Sequence, residues 1–307
     1  MAIHCAAVSP QRNFNMMRRK DFLSLGFGLL LLTTTADLTV AASTESPLLF
    51  VGDFEDGKLV DGQRWNIVGN APEITSEEVR AGHYAMKTTL DRDNSANNFR
   101  TEVRPLMPDP VKQKDYWYGF SIFLPKDFVA DPVWQIVAQF HDNYDNAAEK
   151  GRNPMLSFQV QNGVWGITSV WDSKPTTVKD AAGKWVYEGK RNYEIGPYDV
   201  AVWTDWVVHV KWSYLNDGVL EIWKNGKLVV SQLNNPNCYN DQVMPFFKMG
   251  LYTGWRDPTA RGIVRKRVLY HDELRMAGPG GSYADVAPGG KDAAIKKPDP
   301  PSAVIVQ

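Results

Sequence analysis

Three short stretches of the chain alternate polar, ionisable side chains with apolar or small ones: 99–104 (FRTEVR), 134–142 (WQIVAQFHD) and 246–254 (FFKMGLYTG). Successive side chains of a strand point to opposite faces, so a period of two predicts half-buried strands. In the first stretch Arg100, Glu102 and Arg104 share one face, and Phe99, Thr101 and Val103 take the other. In the second, Trp134, Ile136, Ala138 and Phe140 face one way, and Gln135, Gln139 and His141 the other. In the third, Phe247, Met249 and Leu251 look inward, while Lys248 and Tyr252 look outward with small Gly250 between them. A merely solvated face would be mostly Thr, Ser, Lys and Glu. Arg, Gln, His, Lys and Tyr together can bind a carboxylate and move a proton beside it.

The rest of the chain repeats the strand pattern. Short apolar runs (DYWYGFSIFLP, PMLSFQVQNGVWGITSVW, WTDWVVHVKWSYL, GVLEIWKNGKLVV) are separated by turn signals, and strong helical periodicity is absent. Asn225-Gly226 supplies the positive φ angles of a tight hairpin turn. Many short strands predict an all-β sandwich whose two sheets run from about Pro47 to Ala277. Segments 142–152 and 173–192 are polar and read as loops, either walls of a groove or plain surface. The 307 residues, 43% hydrophobic with 11 Trp, suffice for a large core that takes most of the Trp. A net charge of −1 argues against nucleic acid and against a very highly sulfated substrate.

The chain divides into an export signal (1–42), a sandwich domain (43–277) and a Gly- and Pro-rich tail expected to be disordered (278–307). Arg12, Arg18, Arg19 and Lys20 form a basic start, Phe22 to Leu32 an apolar run, and Val40-Ala41-Ala42 a small-residue cleavage site. Arg18-Arg19 leaves both general secretion and the twin-arginine route open. The expected location is the periplasm or the cell exterior, with no membrane attachment after cleavage and a monomeric state. Of the two Cys, Cys5 lies in the signal, so Cys238 has no intrachain partner and reads as a structural thiol.

If the three strands adjoin, their polar faces make one floor for a uronic acid polymer. Breaking its glycosidic bond by β-elimination requires removing the weakly acidic proton next to the carboxylate. Neutralising that carboxylate stabilises the enolate-like anion. A base takes the proton, and an acid protonates the leaving oxygen. Arg100 and Gln139 are the candidate neutralisers, and His141 and Tyr252 the candidate proton carriers. Lys248 would help hold charge, Glu102 would orient Arg100 and Arg104, and Lys248, Arg104 and Glu102 form the candidate substrate-binding set. His83, His209 and His271 read as structural or surface residues.

These motifs resemble the three signature strands of β-jelly-roll polysaccharide lyases. Alginate lyases of this fold carry R-(S/T)-E-L-R, Q-(I/V)-H and Y-F-K-A-G-x-Y strands. Arg-Thr-Glu-x-Arg and Phe-Lys-x-Gly-x-Tyr match here, while Gln139-Phe140-His141 has Phe at a core-facing position where Ile or Val is usual. GVLEIWKNGK, VLYHDELRMA and the Lys248/Tyr252 pair look closer to the heparin lyase I and glucuronan lyase branch. The resemblance spans most of Phe50–Ala277. It implies a concanavalin A-like jelly-roll sandwich with a concave groove, and eliminative cleavage that leaves an unsaturated uronate. It matches Arg100 and Gln139 to carboxylate neutralisers, His141 to neutraliser or base, Tyr252 to the acid and in some members also the base, and Lys248 to a supporting cation. It implies that no cofactor is required for catalysis. A structural calcium is common in the branch, with Asp53, Glu55 and Asp272 as oxygen ligands here.

Two rivals share the sandwich. A glycoside hydrolase needs two carboxylates at a set separation, usually a Glu-x-Asp-x-Glu string along one strand, and no such string occurs. A lectin-like module would use aromatic platforms and would not need the Arg, Gln, His, Lys and Tyr set. Among acidic polysaccharides, glucuronan fits first, alginate second, and heparin or heparan sulfate last.

Overall fold

The computed structural model describes residues 47–93, 99–257 and 259–289. The expected export segment and residues 290–307 lie outside the described residues. In chain order the strands are β1 (Leu48–Gly52), β2 (Trp65–Gly69), β3 (Glu73–Thr75), β4 (Ala85–Asp91), β5 (Arg100–Pro105), β6 (Asp115–Phe123) and β7 (Gln135–Asn143). They continue as β8 (Leu156–Gln161), β9 (Val164–Trp171), β10 (Val178–Lys179), β11 (Trp185–Val186), β12 (Gly189–Pro197) and β13 (Trp203–Lys211). The last four are β14 (Val219–Lys224), β15 (Lys227–Leu233), β16 (Val243–Thr253) and β17 (Lys266–Ala277). One antiparallel sheet runs β15-β14-β13-β6-β17-β4-β3, with β1 also on β17; the other runs β12-β9-β8-β7-β16-β5-β2. This is the all-β sandwich read from the alternation. No helix among the described residues is long and apolar enough to cross a membrane.

The inward residues of the three motif strands explain why they stay together. Phe247 of β16 packs its ring 5.1 Å from Phe140 of β7 and 5.3 Å from Phe120 of β6, in the opposite sheet. Val103, Met249 and Leu251 are buried in the same core. Each such fully buried side chain contributes about 1.5–3 kcal/mol. The outward faces are therefore pinned by an aromatic layer beneath them.

At Asn225 and Gly226 φ is 50° and 79°, the hairpin turn the sequence predicts between β14 and β15. The tail departs from expectation. Residues 278–289 are ordered rather than disordered, and a short helix, α1 (Tyr283–Val286), starts at a reciprocal Ser282/Asp285 cap. Val286 and Ala287 pack with Val207, Trp223 and Ala277 on the outer side of the first sheet. Gly119 permits this docking, since a Cβ there would lie 1.7 Å from the Val286 carbonyl oxygen. Gly and Pro in this segment make turns on the sandwich. Segment 173–192 is likewise not plain loop: it contains β10, β11 and the start of edge strand β12.

Candidate active site

β16 lies between β7 and β5, so the three polar faces adjoin. Register sets Lys248 opposite Gln139, Gly250 opposite Glu102, and Tyr252 opposite Arg100. The row continues from Gln139 through Ser157 and Thr168 to Asn192, so the face stays polar across five strands. Gly250 is what lets β16 approach β5. Its φ is 139°, and a Cβ there would lie 2.2 Å from the Thr101 carbonyl oxygen.

Glu102 is the hub of this floor. Its side chain is 1% exposed, and it takes ion pairs from Arg100 Nε at 3.0 Å and from Lys248 Nζ at 3.3 Å. Gln139 Nε2 donates to its other oxygen. The expectation that Glu102 orients both arginines holds for Arg100 alone. Arg104 turns to Asp109 at 2.8 Å and lays its guanidinium 3.8 Å above the Phe246 ring. Glu102 is a substrate-binding candidate that the structure places under the floor, where it holds the groups around it. Gln139 is buried there too, and Lys248 is 4% exposed. Burial holds the Lys248 ammonium below its usual pKa, with Arg100 and Arg104 adding to the effect and Glu102 opposing it.

Arg100, Arg104, His141, Lys248, Asn66 and Phe246 line one open hollow of about 460 Å³. Tyr252 sits at its side. The Arg100 guanidinium lies 4.1 Å above the Tyr252 ring, Trp134 meets the ring edge-on at 5.3 Å, and Arg256 Nη1 donates to its hydroxyl. Trp134 and Arg256 in turn line a second hollow of about 620 Å³ that also includes Arg261. The two hollows flank Tyr252, with guanidinium groups on either side. His141 Nδ1 lies 2.6 Å from Oδ1 of buried Asp142. Of the sequence-predicted residues, Arg100, Gln139, His141, Lys248 and Tyr252 are brought together, and Arg104 stands at the rim.

Sequence reasoning missed Arg256, Asp142 and the position of Trp134. The strict alternation expected for 134–140 breaks at a bulge, where the β7 register shifts between Ile136 and Ala138. Trp134 and Ile136 therefore leave the core set that keeps Val137, Ala138 and Phe140. Gln135 moves off the polar face to a buried patch with Phe128 and Arg267. Arg256 lies in a 3-10 turn after β16, outside any strand pattern.

The other described histidines sit away from the floor. His271 is buried, bonds the Val137 carbonyl oxygen at 2.9 Å, and is pushed down to about 4 by burial. His209 stacks on Trp117 and lies between Glu221 and Asp115. Burial works against its charge, but those two carboxylates prevail and raise its pKa. His83 is exposed beside Glu55. The proposed calcium ligands are not gathered into one donor set. Glu55 accepts from the His83 and Tyr84 amides, Asp272 from the amides of Arg80, Ala81 and Glu273, and Asp53 from the Glu55 amide. Among the described residues no three His, Cys, Asp or Glu side chains cluster as a metal site would require. Cys238 is buried and unpaired, as a structural thiol would be.

The two sheets form a β-jelly-roll sandwich, with Arg100, His141, Lys248 and Tyr252 on the polar face of the second sheet. A profile of the polysaccharide lyase family matches residues 52–275, and the chain belongs to that family. Its substrate is accordingly a polysaccharide. Among solved structures it is similar to an endo-β-1,4-glucuronan lyase from the fungus Trichoderma reesei. That match has a TM-score of 0.60 and 20% identity, covering 79% of this chain and 94% of that one. It is also similar to the alginate lyase AlyC3, with a TM-score of 0.44 and 14% identity, covering 63% of this chain and 75% of the other. No curated protein matches it by sequence.

Proposed function

We propose that this enzyme cleaves an unsulfated polyuronate by β-elimination, with glucuronan first and alginate second. The observation that carries the reading is the single hollow lined by Arg100, His141 and Lys248, with Tyr252 packed on Arg100. A uronate carboxylate meets Arg100 at this floor, and Lys248 adds positive charge from below. That charge stabilises the anion formed as the proton beside the carboxylate is lost. The electron pair of the broken C–H bond becomes the new ring double bond. The bond from carbon to the glycosidic oxygen breaks, and that oxygen takes up a proton. His141 and Tyr252 handle the two protons. Gln139 supports the floor through Glu102.

Arg104 on one side and Arg256 and Arg261 on the other put cations beyond the reacting unit. A polymer with a carboxylate on every sugar suits that spread better than one with alternating charge. The overall charge of −1 disfavours heavily sulfated chains. The sandwich relative named for glucuronan supports placing that polymer first. The export-like segment at 1–42 supports action in the periplasm or outside the cell. The test offers the mature protein glucuronan, alginate, heparin, heparan sulfate, hyaluronan and pectate, and follows the ultraviolet absorbance of an unsaturated uronate. A rise with glucuronan is expected. A rise with heparin alone would overturn the substrate reading.

A further inference from the structure

Behind His141 lies a buried charge cluster that the elimination itself does not use. Arg152 is 3% exposed and receives no water-facing role. Its Nε donates to Asp142 Oδ2 at 2.9 Å, its Nη1 to Glu149 at 2.6 Å, and its Nη2 to Asp241 at 2.7 and 2.8 Å. The guanidinium also lies 4.2 Å above the Tyr239 ring. One cation thus ties segment 142–152 to the segment before β16, and Glu149 extends the tie to Thr177 through that residue's amide. Burial, together with the charges of Asp142 and Glu149, pushes Asp241 up to about 6 against the pull of Arg152. Burial also works to raise Asp142, but His141 and Arg152 outweigh it and hold this carboxyl below the usual range. Asp142 is therefore the ionised member next to the imidazole.

We propose that Asp142, fixed by Arg152, is a positioning residue that keeps the His141 proton on Nδ1 and presents Nε2 to the groove as a proton acceptor. The inference rests on the lyase reading for its catalytic consequence, but not for its structural content. Oδ1 of Asp142 is buried with no hydrogen bond among the described residues, and the ring nitrogen 2.6 Å away is the donor within reach of it once it carries hydrogen. In a neutral imidazole the other nitrogen then has the free electron pair. In the elimination Nε2 takes the proton from the carbon beside the carboxylate, and the imidazolium so formed is stabilised by Asp142, which stays ionised. Arg152 fixes which way this works. Its Nε–H takes Oδ2 of the carboxylate, which leaves the unpartnered Oδ1 facing His141.

That commitment makes Asp142→Asn a directed test. The amide oxygen must face Arg152, which turns the amide NH2 toward Nδ1 and drives the ring proton to Nε2. Turnover on the cleaved polymer should fall by about 100-fold or more with KM changed little, the effect expected when a catalytic base is held in the wrong tautomer. Heteronuclear NMR of the imidazole nitrogens reads the same point without activity. In the wild-type protein at mildly alkaline pH, His141 should show a protonated Nδ1 and a bare Nε2, and the variant should show the reverse. A wild-type His141 protonated on Nε2 overturns the proposal, as does a folded Asp142→Asn enzyme with near-normal turnover. If the variant does not fold, the wild-type NMR measurement still decides. If no polyuronate is cleaved by the wild-type protein, the lyase reading fails while the tautomer result stands by itself.

Discussion

Replacing Glu102 by Gln should be the most damaging single change on the polar face, and for reasons of stability before chemistry. The substitution keeps the shape and an acceptor oxygen but removes the charge that Arg100 and Lys248 share. Lys248 is 4% exposed, so its ammonium would be left buried without a counter-charge. Breaking a buried pair by removing one partner costs about 3–5 kcal/mol. For a domain of this size that corresponds to a fall in Tm of roughly 6–20 °C. The loss should depend on pH. Burial already holds the Lys248 pKa below its usual value, and loss of Glu102 depresses it further. The unfolded chain then binds more protons than the folded one, so stability rises with pH. The deficit of the variant should accordingly be largest near neutral pH and shrink toward pH about 10, where the unfolded lysine also loses its proton. Urea unfolding at several pH values reads both effects, and Glu102→Gln/Lys248→Met should recover part of the loss. A Glu102→Gln protein with wild-type stability at neutral pH would refute the hub.

Other outcomes follow from the same geometry. His141→Ala and Tyr252→Phe should stay folded and lose about 100-fold to 10,000-fold in turnover, since each removes one proton carrier; near-normal activity in either removes that residue from the site. Arg100→Ala should fail even with both intact, as steady-state assays would show. Gly250→Ala should unfold at distinctly lower urea concentration, because its Cβ would collide with the Thr101 carbonyl oxygen. His271 and Asp272 should oppose one another in acid. Burial pushes His271 down to about 4, which favours the folded state above the ordinary histidine pKa and withdraws about 3 kcal/mol as pH falls from about 6.5 to 4. Burial also raises Asp272 to about 7, so that residue adds stability as pH falls through the same window. Asp272→Asn removes the compensation, and its urea stability should drop between pH 6.5 and 4 by about the histidine contribution. A flat profile would contradict the assignment.

The parity of β5 and of 246–252 in β16 was readable from period two, because Val103, Phe247, Met249 and Leu251 all reach the core even though β16 shifts register against β7 between Met249 and Tyr252. Arg100, Glu102, Lys248, Gly250 and Tyr252 fall where the pattern puts them. β7 was readable only from Ala138 onward, since a bulge carries no compositional mark and reverses the faces of Gln135 and Ile136. Burial within a polar face was also hidden. Nothing in the spacing tells that Glu102 and Gln139 lie under the floor while Arg100 and His141 reach the hollow. Arg256 and Arg152 come from a turn and a loop, and join the site through tertiary contacts between segments distant in sequence. The segment 278–289 looked disordered because its Gly and Pro content marks turns as well as disorder, and the cap at Ser282 was the unread signal.

If the glycosidic bond breaks by elimination on this floor, every oxygen in the products comes from the substrate. Cleavage of glucuronan in heavy-oxygen water tests it directly, with the product masses compared to those made in ordinary water. Elimination breaks the bond between the uronate ring carbon and the glycosidic oxygen and leaves that oxygen on the anomeric carbon of the neighbouring sugar, so freshly released fragments should carry an unsaturated uronate and no oxygen from solvent. One solvent oxygen gained per bond cut, on the new reducing end, with no unsaturated end, would mean hydrolysis and would contradict elimination.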